Sequence, residues 1–65
     1  MKLKPFYAKQ VKIVAENKLV FLGKVNEYFY PSDNESGKES IVIDTAEGKS
    51  VEFYETDILS IEIIE

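Results

Sequence analysis

The segment Leu19–Tyr30, LVFLGKVNEYFY, decides the fold. Phe21, Gly23 and Val25 fall on one face of an extended chain, because successive side chains of a strand alternate. Gly23 stands in the middle of this long strand. A Gly there marks a sharp bend or a close backbone approach, as in a barrel wall. Pro31 cannot continue a central strand and ends the segment. One long strand bent at a Gly can serve two layers of a very small sheet.

Outward from that strand the same period of two recurs. Upstream, Gln10 to Glu16 puts Val11, Ile13 and Ala15 on one face, and Asn17-Lys18 supplies a tight turn. Downstream, Ser32–Glu39 is polar and turn-rich and reads as a mobile loop. Ile41 and Ile43 form the inward face of a third strand, and Thr45–Gly48 is a hairpin turn with Gly48 suited to positive φ. Val51 and Phe53 face inward from a fourth strand. Glu55–Asp57 makes a short turn before a β-branched fifth strand, Ile58–Ile64. Residues 1–9 form an N-terminal arm, either extended or a single helical turn opened by Pro5. The expectation is an all-β, five-stranded, strongly bent antiparallel small barrel spanning residues 1–65.

Composition narrows the chemistry. The chain has 65 residues and no Cys, His or Trp, which removes disulfides, thiolate nucleophiles, imidazole bases and soft metal ligands. All eight basic residues are Lys, so the planar guanidinium fork that clamps phosphates is missing. A fold this small with neither disulfide nor transition metal depends on dense packing or on a partner that shares the core. No apolar run of secretory or membrane-spanning length is present, so the expected location is cytoplasmic, with no membrane contact.

Charge is polarised along the chain. Residues 1–24 carry six Lys against Glu16, while residues 25–65 carry Lys38 and Lys49 against eleven acids, for a net charge of −4. Such polarity favours head-to-tail association or two distinct binding faces. It also disfavours nucleic acid, except at the basic end.

The order of elements resembles an Sm-like small barrel. Phe21-Leu22-Gly23-Lys24-Val25-Asn26-Glu27-Tyr28 fits that family's second-strand pattern, apolar-x-Gly-x-apolar-x-x-aromatic. Phe53–Ile61 fits its closing segment, and SH3-like barrels share the strand plan. The resemblance implies a five-stranded barrel and, in the Sm branch, RNA binding. The residues that carry RNA there are not matched. Phe29 directly follows Tyr28 where the RNA-binding proteins place an Asp. Tyr54-Glu55 replaces their Arg-Gly, and Glu55-Thr56 replaces the Lys-His of the bacterial RNA-chaperone branch.

Other motifs fall short of a site. Gly48-Lys49-Ser50 lacks the Gly five positions earlier that a phosphate loop needs, since Ile43 stands there, and a strand follows it. Asp33–Gly37 has its Gly one place early for a calcium loop and no bidentate Glu at the required spacing. Asp44, Glu52, Glu55 and Asp57 can approach one another in a barrel, but no feature holds one of them neutral for acid–base work. No catalytic residue, cofactor or metal site is predicted.

The aromatic side chains are what remains. Tyr28, Phe29 and Tyr30 are consecutive, so rings lie on both faces of that strand end, and Tyr54 alternates outward from Phe53. They either cover the barrel end or form a binding surface. With Ile64 and the outward-facing Val20, Leu22 and Val42, they point to a non-enzymatic binding or assembly module. Its partner is a protein or a second copy of this chain, in a homo-oligomer. The alternative is an Sm-like RNA-binding protein that uses the Lys-rich N-terminal face.

Overall fold

The structure is a computed structural model that describes residues 1–64. Five strands form one antiparallel sheet: β1 Gln10–Ala15, β2 Val20–Phe29, β3 Ser40–Thr45, β4 Ser50–Tyr54 and β5 Ile58–Ile63. The order is β4-β3-β2-β1-β5. A single 3₁₀ turn at Lys4–Phe6 precedes them, and two more lie between strands, at Pro31–Asp33 and Glu55–Asp57. The N-terminal arm therefore contains a helical turn, with Pro5 in its first positions.

Two hairpins share one loop geometry. In each, the N–H of the residue before the loop donates to the carbonyl four residues on, Ala15 to Leu19 and Thr45 to Lys49, both at 2.9 Å. A further backbone bond closes each turn, from Lys18 to Ala15 and from Gly48 to Thr45. This geometry demands a left-handed residue before the returning strand. Gly48 takes it at φ 81° and Lys18 at φ 73°. The Asn17 side chain accepts from Leu19 N–H at 3.1 Å and fixes the first of these turns.

β2 is shared between two partners. Its first half pairs with β1, and the stretch from Gly23 onward pairs with β3. Gly23 is the point of closest approach: a Cβ built there would lie 2.4 Å from the Asp44 carbonyl oxygen. Beyond it the β2–β3 register slips between Val25 and Glu27, leaving Asn26 as an extra, bulged residue. The bulge reverses the alternation, so Tyr28, not Glu27, follows Val25 onto the core face, opposite Ile41.

The core is Leu3, Val11, Ile13, Ala15, Val25, Ile41, Ile43, Phe53 and Ile58, with Phe21 and Phe53 edge to face at 5.1 Å. Leu3, which belongs to no periodic pattern, is fully buried. Among the described residues no ladder joins β4 to β5, so the barrel is not closed by strand pairing. The Glu55–Asp57 turn spans that gap: Glu55 N–H donates to the Glu39 carbonyl at 3.2 Å, and Glu16 N–H to that of Asp57 at 2.9 Å.

One expectation needs correcting. Val42 is half-buried, not exposed, and Ile58 is buried in the core. The Ser32–Glu39 segment is anchored at both ends: it starts in a 3₁₀ turn, Asn34 is half-buried, and Glu39 is buried. Side-chain hydrogen bonds within the segment bring this about, as described below. Val20, Leu22 and Ile64 are exposed as expected.

Candidate functional site

Two strands end in the same way. After β2, Tyr30 N–H donates to the Asp33 carboxylate at 3.1 Å; after β4, Tyr54 N–H donates to that of Asp57 at 2.9 Å. Each Tyr-x-x-Asp device turns the chain through one 3₁₀ turn, and the first also fixes the Tyr30 backbone at the sheet edge.

The Tyr28 and Tyr30 rings meet edge to face at 5.1 Å. The half-buried Tyr28 donates its hydroxyl to Glu39 Oε1 at 2.8 Å. Its phenol is pushed up to about 12, mainly by loss of hydration, then by that hydrogen bond and by the negative charge of Glu39, with Tyr30 and Glu55 adding to it. The more exposed Tyr30 is met by the N-terminal turn. Lys4 Nζ donates to its hydroxyl at 2.9 Å and lies 4.9 Å from its ring centroid. A cleft of about 690 Å³ opens here, lined by Lys4, Tyr7, Asn26, Glu27, Tyr28 and Tyr30. An adjoining hollow of about 530 Å³ shares Lys4 and Tyr28 and adds Lys2, Pro5, Pro31 and Glu39. These volumes are of the size that small ligands and single side chains occupy.

The other aromatic candidates lie elsewhere. Phe29, Ser40 and Tyr54 stand in one register row across β2, β3 and β4, on the face opposite Tyr28. Phe29 and Tyr54 are half-buried and Ser40 is fully buried. The Ser40 hydroxyl donates to Glu52 at 2.8 Å and accepts from Asn34 Nδ2 at 3.1 Å, which ties the 31–39 segment to the sheet. Ile64 lies just beyond β5, where its N–H donates to the Gln10 carbonyl at 3.0 Å. The structure thus brings Tyr28 and Tyr30 together and leaves Phe29, Tyr54 and Ile64 apart from them. Lys4, Tyr7, Asn26 and Glu27 complete the cleft, and sequence reasoning does not reach them. The signal for Lys4 and Tyr7 is their place around Pro5, in the segment that reads as a helical turn.

The four carboxylates considered for acid–base work each have a hydrogen-bond or ion-pair partner. Asp44 accepts from Asn26 and from Ser50, Glu52 from Ser40, and Asp57 from Tyr54 N–H. Glu55 lies 3.9 Å from the N-terminal ammonium. Among the described residues no group of three or more Asp or Glu side chains converges as a metal site, and no helix is long and apolar enough to cross a membrane. In comparisons with known proteins the chain matches no family model, no curated protein and no solved structure.

Proposed function

We propose that this chain is a non-enzymatic binding or assembly module of the Sm-like or SH3-like small-barrel type. Its partner is a protein, with self-association as the first case. The strand order β4-β3-β2-β1-β5 with a single turn between β4 and β5 supports the barrel assignment.

The observation that carries the partner reading is the state of the β5 edge. β5 pairs with β1 on one side only, and Leu59, Ile63 and Ile64 remain 43%, 46% and 48% exposed along it. The other outer strand differs, because its apolar residues Val51, Phe53 and Tyr54 are all buried or half-buried. An unpaired edge bearing apolar side chains is a template for another strand. Covering the exposed half of each of the three contributes about 1 kcal/mol apiece, which amounts to roughly two powers of ten in affinity. The outward face of the sheet adds a charge gradient, from Lys12 on β1 and Lys24 on β2 to Asp44 on β3 and Glu52 on β4.

Sedimentation velocity over a concentration series tests the proposal. The expected result is a species heavier than 7.4 kDa that Ile63→Lys returns to monomer while its circular dichroism stays unchanged. A parent protein that remains monomeric at the highest concentration refutes self-association.

A further inference from the structure

We propose that the cleft between the N-terminal turn and the end of β2 binds the cationic side chain of a lysine or arginine from an extended partner segment, at the place that Lys4 now occupies. This rests on the reading of the chain as a protein-binding module and names the chemistry that one of its surfaces recognises.

Lys4 shows what the cleft holds. Its ammonium donates to the Tyr30 hydroxyl and lies 4.9 Å from the ring centroid, on the hydroxyl side, and among the described residues it is in neither ion pair, Met1–Glu55 or Lys12–Glu62. An aromatic face with a phenol oxygen attracts any cation of similar reach. The rings are pre-set: Tyr28 is held by its hydrogen bond to Glu39, Tyr30 packs edge to face against it, and the Asp33 carboxylate fixes the Tyr30 backbone. Tyr30 and Tyr7 are about half exposed, so an incoming side chain can reach them.

Two lysines and two carboxylates line the two hollows, so with Lys4 turned away the balance favours a cation. Glu27 lines it and, among the described residues, is in no ion pair, and Glu39 lines the adjoining hollow. The molecule carries −4 overall. An anion would meet these carboxylates with Lys4 and Lys2 as the cations lining the two hollows.

Displacing Lys4 needs only a side-chain rotation. The backbone of the N-terminal turn is fixed independently, because Leu3 is fully buried and Val25 exchanges backbone hydrogen bonds with Ala8 and Lys9, both at 2.9 Å. Lys4 therefore acts as a resident competitor, and this distinguishes the proposal from an anion site. If Lys4 were the recognition group for a phosphate, its removal would abolish binding. As a competitor, its removal strengthens binding.

The test is an amide chemical-shift titration of the full chain with three probes: a blocked hexapeptide carrying two arginines, its norleucine counterpart, and uridine monophosphate. The arginine peptide is expected to move the amides of Tyr7, Asn26, Tyr28 and Tyr30, and the other two probes are not. Lys4→Met is expected to tighten the arginine peptide roughly two- to fivefold, and Tyr30→Leu to weaken it by a similar factor. Each variant is first checked for an unchanged spectrum over β1 and β4. The inference is overturned if Lys4→Met weakens binding, if uridine monophosphate moves the same amides, or if the arginine peptide moves none of them at physiological salt. A chain that sediments as a monomer yet binds the arginine peptide at these residues removes self-association and leaves this inference standing.

Discussion

Gly23→Ala is expected to destabilise the fold even though it adds one methyl group. The Cβ would lie 2.4 Å from the Asp44 carbonyl oxygen, 3.0 Å from its carbon and 3.3 Å from Ile43 Cδ1. A carbon normally stays about 3.3 Å from a carbonyl oxygen, so β2 and β3 must part by about 0.9 Å. They do so where Gly23 faces Thr45 and Lys24 faces Asp44 in the ladder. The clashing atom is backbone, so no rotamer change relieves it. Overpacking of this kind costs about 1–3 kcal/mol, and a stretched ladder bond adds about 1. The reduced chain entropy of Ala against Gly returns about 0.5–1 kcal/mol. The net is about 1–3 kcal/mol, or a melting temperature lower by about 5–20 °C for a domain of this size. Thermal unfolding followed by circular dichroism measures it, with Gly37→Ala as control. Gly37 has nothing within 4 Å of a built Cβ, so its replacement carries only the penalty of its φ of +73°, about 1–2 kcal/mol. A Gly23→Ala protein that melts with the parent or above it refutes the close-approach argument.

Three further outcomes follow from particular contacts. Tyr28 has its folded pKa raised to about 12 from 10, so its contribution to stability is fully present below pH 10 and falls between pH 10 and 12. Urea unfolding across that range should show a steeper loss for the parent than for Tyr28→Phe; equal slopes would contradict the assignment. Asn34→Ala removes the bonds to the Lys38 carbonyl at 2.7 Å and the Ser40 hydroxyl at 3.1 Å, so the Gly37 and Lys38 amides should exchange about tenfold faster. Unchanged exchange would show that the segment is held by other means. Lys18→Gly should stabilise by about 0.5–1 kcal/mol in denaturant unfolding, because Gly meets the left-handed conformation without the side-chain penalty; a loss of stability would argue against the shared hairpin geometry.

β1, β3 and β4 were legible because their inner faces obey a period of two. Val11, Ile13 and Ala15, then Ile41 and Ile43, then Phe53 are all buried as the alternation requires. The close approach at Gly23 was legible because a lone Gly weakens an apolar strand unless the backbone bends or is closely approached there. Leu3 was not, since a single 3₁₀ turn is too short to show a period. Nor was the anchoring of the 31–39 segment, which depends on Asn34, Glu39 and Ser40 finding partners in Lys38, Tyr28 and Glu52. Polar residues in a turn-rich run look the same whether or not the fold supplies those partners.

The features that escaped the alternation are also the ones that build the cleft. The two-residue gap between Val25 and Tyr28 in the second-strand pattern is the trace of the Asn26 bulge, and without that extra residue Glu27 would occupy the core face in place of Tyr28. The same slip sets Tyr30, two residues on, beside the Tyr28 ring. Leu3, buried with no periodic reason, pins the turn that carries Lys4 to Tyr30 and places Tyr7 in the cleft wall. The departures from the local rule thus converge on one surface, where Lys4 meets the Tyr30 hydroxyl.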